Sequence, residues 1–280
     1  MKLLLRAAMT SVPYPSESIT TLLAQTRLGE AVAAARARVK SKPLEATARI
    51  LLADLLCLQG AIEVADAQLR IASQLASAEA AGIARLRGLL RAEAARRAWF
   101  GQGAVPSFLV SPTSRQQQTL RLTLAWRAGD IDAAAAQLAE LERSQIACQG
   151  RCDGVAFDDF RDADDLLQDN VETLGTNGQY YWMAPQALMH LTFTPPRHPR
   201  DLMWRRARAV FRSGEQADLY LPAQYCSDAA EDDHRLARRT DWTTSCGGVT
   251  VGCGQRVLVV GGEPRAIMDI GEISFAGSEA

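Results

Sequence analysis

Lysine is almost missing from this chain of 280 residues: Lys2, Lys40 and Lys42 are all of it, and arginine supplies the other positive charges. The 31 basic residues are balanced by 32 acidic ones, for a net charge of -1. That balance gives no overall pull towards nucleic acid or an anionic membrane. No stretch approaches the roughly 18 apolar residues that a membrane span needs. The opening MKLLLRAAMTSVPYP begins apolar, but Arg6, Pro13 and Pro15 break it before a signal-peptide core can form. The expected location is the cytoplasm. Six cysteines are too few for a disulfide scaffold. Cys148 and Cys152 are spaced C-x3-C, and Cys246 and Cys253 C-x6-C, neither being the C-x2-C of a zinc knuckle. Buried free thiols are the expectation. His190, His198 and His234 show no HExxH or H-x3-H spacing. The Gly-rich stretch Gly247–Gly254 has neither the G-x-S-x-G of a nucleophile elbow nor a phosphate-loop lysine, and reads as a turn between strands. No metal or cofactor is expected.

What is present divides near residue 146. Residues 1–145 carry 18 Lys and Arg against 12 Asp and Glu, and residues 146–280 carry 13 against 20, so +6 faces -7. The halves are expected either to attract one another or to serve different roles. The first half is rich in Ala, Leu and Arg, which are strong helix formers. The second holds 12 of the 17 aromatic residues and most of the glycine. The expected fold is α+β: a helical, tetratricopeptide-like repeat domain over 1–145, then a small, mainly antiparallel mixed domain over 146–280.

Helical spacing carries the first prediction. Ile62, Ala65, Leu69, Ala72 and Ala76 form one apolar stripe, and Ile131, Ala134, Ala135, Leu138 and Leu141 form another. Each stripe begins just after a glycine turn, at Gly60 and Gly129, with a third turn expected at Leu28-Gly29. The glycines are 31 and 69 residues apart, near one and two repeats of about 34. Stacked helix pairs of this kind offer a concave face to a peptide or helix. Leu69 and Leu138 are the candidate groove residues. A plain helical bundle is the simpler alternative. The stretch Gly101–Thr113, with Pro106 and Pro112, reads as an interrupting loop.

In the second half, Asn177-Gly178, Ser213-Gly214 and Gly261-Gly262 read as turns. Strands are expected at Ala207–Phe211, Ala217–Leu221, Gln255–Val260 and Ala266–Ile270, and a short helix at Pro185–Leu191. The acidic run Asp158–Asp165 is the most chemical segment. An EF-hand loop started at Asp162 fails, because Leu167 stands where Gly is needed and Thr173 where Glu is needed. Asp162, Asp164 and Asp165 in acid–base catalysis compete with a plainer role: capping a helix start or pairing with an arginine such as Arg200. Tyr180, Tyr181, Trp182, Trp204 and Trp242 are expected in the core, with recognition as the alternative. The pairs Arg200-Asp201 and Asp241-Trp242 suggest geometry-fixing polar contacts beside aromatics.

Six segments stand in an order and spacing that resembles the ImpE/TagJ family of bacterial type VI secretion: RDADD (161–165), NGQYYW (177–182), PRDLMWRRA (199–207), YLPAQY (220–225), TDW (240–242) and GCGQR (252–256). The resemblance covers roughly residues 155–275. Glu172 matches the family's glutamate after the acidic run, and Gln255 and Arg256 its last motif. Two departures touch local loop geometry: Gln168-Asp169-Asn170 replaces the usual Pro region, and Pro185 falls one place late after Met183-Ala184. The resemblance implies a non-enzymatic accessory protein. It would bind a helix near the N-terminus of the sheath protein TssB and be linked, at one remove, to the ATPase ClpV. No nucleic-acid or membrane partner is expected, on the charge balance and the lack of a long apolar run.

Overall fold

One turn is used three times in the helical half. This computed structural model describes residues 18–101, 103–227 and 230–277. The opening segment weighed above as a signal peptide lies outside them through residue 17. Helix α1 (Ile19–Ala24) is followed by α2 (Leu28–Ser41), α3 (Ala46–Leu58) by α4 (Ile62–Leu75), and α6 (Ser114–Ala128) by α7 (Ile131–Arg143). Between the members of each pair one residue has a left-handed backbone: Thr26, Gly60 or Gly129. The next N–H reaches back to a carbonyl five residues earlier, Arg27 to Leu22, Ala61 to Leu56 and Asp130 to Ala125, at 2.9, 2.9 and 3.0 Å. This is the Schellman closure, which satisfies carbonyls left open at a helix end. The turn residues 26, 60 and 129 are spaced 34 and 69 apart.

Gly29 is therefore not the turn residue. It lies in the first turn of α2, and Thr26 takes the left-handed position three residues earlier. The expected stripes are real but face inward. Leu69 is 2% exposed and Leu138 9%. Burying such a side chain stabilises by about 1.5–3 kcal/mol, so both are core residues and neither lines an open groove. Ile131, at the head of the second stripe, is exposed.

Helix α5 (Ala80–Gly101) links the halves. After the loop at 103–113 and helices α6 and α7, the chain turns to strands. They are β1 (Gly150–Cys152), β2 (Val155–Phe157), β3 (Phe160–Asp162), β4 (Val171–Leu174), β5 (Tyr180–Met183), β6 (Leu188–Phe193), β7 (Trp204–Phe211), β8 (Gln216–Pro222), β9 (Thr240–Thr244), β10 (Thr250–Gly254), β11 (Val257–Val260), β12 (Glu263–Ala266) and β13 (Glu272–Phe275). Eight form one antiparallel sheet in the order β2-β1-β13-β6-β7-β8-β4-β5, larger than the sequence suggests. Strands β9 and β10 make a two-stranded ribbon, and β12-β11-β3 a third sheet. The three expected turns close β4–β5, β7–β8 and β11–β12. Two expectations fail. Pro185–Ala187 is a single 3-10 turn that leads directly into β6, because Pro185 can start a turn but the β-branched and aromatic residues after it pair with β7. Ile267–Asp269 is also a 3-10 turn, between β12 and β13, with Ile267 pinned inside.

The largest apolar core belongs to both halves. Leu28, Leu52, Leu56, Ile83, Leu89 and Trp99 of the helices pack with Leu174, Trp182, Trp204 and Tyr225 of the second half. Trp99 and Trp182 meet edge to face at 5.4 Å, an arrangement worth about 0.5–1.5 kcal/mol beyond its buried area. The smooth side of α5 at Gly88 makes the approach possible: a Cβ there would stand 1.8 Å from the Thr176 carbonyl oxygen. Gly88→Ala is expected to cost about 2 kcal/mol or more in urea denaturation, through overpacking. Gly29→Ala is expected to add about 0.5 kcal/mol, because the site is helical and its space is empty. A loss at Gly29 would restore it as a turn residue.

Candidate functional site

Helix α5 turns Glu93 and Arg96 towards the second half because they share its buried face with Leu89, Ala92 and Trp99. Strand β4 brings Glu172 to the same place, with no exposed surface at all. Arg96 donates from Nε to Glu172 Oε1 at 2.8 Å and from Nη2 to Oε2 at 3.1 Å. Arg256, just before β11, donates from Nη1 to Glu172 Oε2 at 2.9 Å and from Nε to Asp162 Oδ2. The Tyr180 hydroxyl donates to Glu172 Oε1, and the Trp182 indole N–H donates to Tyr180 Oη. The Tyr225 hydroxyl donates to Asp162 Oδ1 at 2.8 Å and accepts the Val257 N–H at 3.0 Å. Glu172 and Asp162 thus share two buried guanidiniums, each of their oxygens already taken, and the buried Glu93 stands 3.7 Å from Arg96.

The rest of the acidic run stitches a loop to β10. Asp164 accepts the N–H groups of Leu166 and Gly252, each at 2.9 Å, and Asp165 accepts that of Thr250 at 2.7 Å. The expected capping occurs, but on a turn and a strand instead of a helix start. Asp162 pairs with Arg256 and Asp159 with Arg161, whereas Arg200 pairs with Asp54 instead. Burial opposes the charge on Glu172, yet Arg96 and Arg256 together hold its carboxyl below the ordinary range. Asp164 has no such cation. Burial, then the neighbouring Asp162 charge, push it up to about 8 against the pull of its backbone donors.

The other sequence candidates lie apart from this cluster. Arg200 grips Asp54 of α3 at 2.8 Å, and burial pushes that carboxyl up to about 6 against the arginine's pull. Asp201 caps the N–H groups of Arg197 and His198. The Trp204 indole N–H donates to Glu93 at 3.3 Å. Tyr181 is half-buried and its hydroxyl accepts from Asn177. Gln255 extends the ribbon through its backbone, its N–H donating to the Arg239 carbonyl at 2.9 Å. Asp241 is held by Arg239 and by His234 at 3.1 Å. Trp242 departs from expectation: it is 42% exposed and lies against Tyr225 at 5.5 Å. It belongs to the β9–β10 ribbon, in which the last three residues of β9 are exposed. Sequence reasoning missed Arg96, Glu93 and Asp54. Their signal was charge on the apolar face of a helix, at helical spacing from leucines.

A junction cleft of about 480 Å³ opens beside the cluster, between Phe100, Trp126, Cys226, His234 and Arg235. Its arginines are already engaged: Arg97 donates to the Gly60 carbonyl at 3.0 Å and Arg235 to that of Ala230 at 2.9 Å. Among the described residues no group of three or more His, Cys, Asp or Glu has the geometry to hold a metal ion. Cys57, Cys148 and Cys152 are buried free thiols, while Cys226, Cys246 and Cys253 are free and half-buried. Chemically, the arrangement can cross-link the halves, and its buried carboxylates are shielded from any solvent-borne substrate.

Arg256→Met is expected to cost about 3–5 kcal/mol in urea denaturation, because it leaves buried Asp162 without a cation and takes one of two from Glu172. A loss under 1 kcal/mol would show that the cluster contributes little. A pH effect follows from Asp164. Its raised value means that the folded chain holds more protons than the unfolded chain between about pH 4 and 8, so stability falls as pH rises through that window. Asp164→Asn is expected to shrink the stability difference between pH 5 and pH 8, and an unchanged difference would remove Asp164 as its source.

The sequence profile described as ImpE protein matches residues 154–274, which hold the acidic run, Glu172, the β4–β5 hairpin and Arg256. The type VI secretion system accessory component TagJ of Pseudomonas aeruginosa is 30% identical over 261 residues, covering 92% of this chain and 91% of that protein. The crystal structure of a protein from Vibrio parahaemolyticus superposes with a TM-score of 0.85 at 22% identity, over 93% of this chain and 98% of that one. That likeness shows a shared fold over both halves. The chain belongs to the ImpE/TagJ family.

Proposed function

We propose that this protein is a non-enzymatic accessory component of a type VI secretion system, which works by holding a partner. The observation that carries the reading is the 30% identity to TagJ, an accessory component, along 92% of the chain. The chemistry supports it. Asp162 and Glu172 are spent on arginines and tyrosines, and Asp164 and Asp165 on backbone N–H groups. The front half is compatible with it: helix pairs closed by the same turn at intervals of 34 and 69 residues fit a tetratricopeptide-like array, whose packed inner face leaves the seam and the outer faces for a partner. The partner proposed is a TssB-like sheath protein, gripped through a helical segment, with a ClpV-like ATPase met only through the sheath. The cytoplasm is the proposed place of action. No helix among the described residues is long and apolar enough to cross a membrane.

Co-purification of the tagged chain with the TssB-like protein of the same genome is expected to give a complex that persists through size exclusion. Separate elution of the two folded proteins would sink the proposed partner. Turnover of a small molecule that disappears in Asp162→Asn, with folding retained, would overturn the non-enzymatic reading.

A further inference from the structure

A second depression, of about 420 Å³, lies on the seam between the halves, away from the buried cluster. One wall is the start of α5, with Gly82 and Arg85. The other is the connection from β6 to β7, with Pro195 and Arg197. Ile50, Leu86 and Tyr220 are partly buried against the main core and make an apolar floor. Arg85 and Arg197 are exposed, one on each wall, and neither guanidinium has a hydrogen-bond or ion-pair partner among the described residues. The acids in the lining answer them weakly. Asp201 turns one oxygen to the N–H groups of Arg197 and His198, at 2.7 and 2.8 Å, and Glu79 is exposed; both keep their charge, but neither carboxylate is bonded to the two guanidiniums. The wall is also anchored, because Arg200 is clamped onto Asp54.

We propose that this groove docks an acidic peptide segment of a protein partner, with an aliphatic side chain on the floor and carboxylates reaching Arg85 and Arg197. The inference rests on the adaptor reading and deepens it, by placing the partner contact and naming its chemistry. Two unpaired guanidiniums in the lining of one depression, together with apolar residues packed on the core beneath, match an amphipathic, acidic strip. An arginine forks onto a carboxylate with two parallel hydrogen bonds, and the floor recovers the apolar side chain from water. A bare polyanion would use the rim and leave the floor empty.

The test is fluorescence anisotropy on the full chain with a labelled 14-residue peptide, its leucines at helical spacing and its other positions mostly glutamate. The comparison peptide has lysine at every glutamate. The glutamate peptide is expected to bind at least tenfold more tightly, and Arg85→Glu with Arg197→Glu is expected to cancel or reverse that preference. Both arginines are exposed, so the double variant is expected to keep its fold, checked by circular dichroism. Equal binding of the two peptides, or unchanged binding by the folded double variant, would overturn the proposal. So would equally tight binding of a thymidine oligonucleotide or phosphatidylserine vesicles. Capture of the TssB-like protein separates the two ideas. Capture by the wild type but not the double variant supports the groove. Equal capture by both overturns the placement and leaves the adaptor reading standing. No capture by either sinks the named partner, and the peptide titration then decides the groove alone.

Discussion

Glu172 is a carboxylate with no exposed surface, and it is held there by one arginine from each half of the chain. An isolated charge at such depth costs several kcal/mol even after relaxation. The cost is met only when Arg96 arrives from α5 and Arg256 from the foot of β11, with the Tyr180 hydroxyl completing the hydrogen bonds of Glu172 and Asp162 engaging the other side of Arg256. Any sliding of the helices over the sheet would leave a buried ion without its partner. The cluster therefore acts on register more than on raw stability, and it dictates where the two halves meet.

The seam repeats that logic at its edges. Arg200 reaches from the second half to Asp54, and Arg115 from the first to Asp169. Arg238 clasps the end of α1 through the carbonyls of Leu23 and Ala24. Between these polar ties runs the common core of Trp99, Trp182 and Trp204. The excess positive charge of the helices and the excess negative charge of the strands are thus spent partly on one another. A helical array free to open and close is not what results. Its inner faces are packed, and the surfaces left open lie along the seam and on the outer faces.

This arrangement changes where recognition has to be sought. Leu69 and Leu138 are the residues a concave repeat would present, and here they are inside. Arg85 and Arg197, 112 positions apart in the chain, stand on opposite walls of one depression because α5 docks beside the β6–β7 connection. Trp242, in contrast, is placed by the ribbon at the surface, where it shields the tyrosine that serves the buried cluster.

Much of this was legible in the chain itself. The change from Ala-Leu-Arg to aromatic and Gly composition marked the passage from helices to strands, since backbone preference is a local property. Gly60, Gly129 and Asn177-Gly178 declared their turns for the same reason. The family motifs marked Asp162, Glu172, Tyr180, Trp182 and Arg256 within a longer series that also held Arg200, Asp241 and Gln255, and did not group the five. Thr26 hid the first repeat turn, because threonine does not advertise a left-handed backbone. Arg96 hid the other half of the cluster, because a charged residue on a helix reads as solvated until something is packed over it. Which arginine met which carboxylate, and which leucines faced inward, was settled by tertiary packing alone. Those choices depend on the desolvation of groups far apart in the chain, and desolvation exists only once the halves have closed on each other.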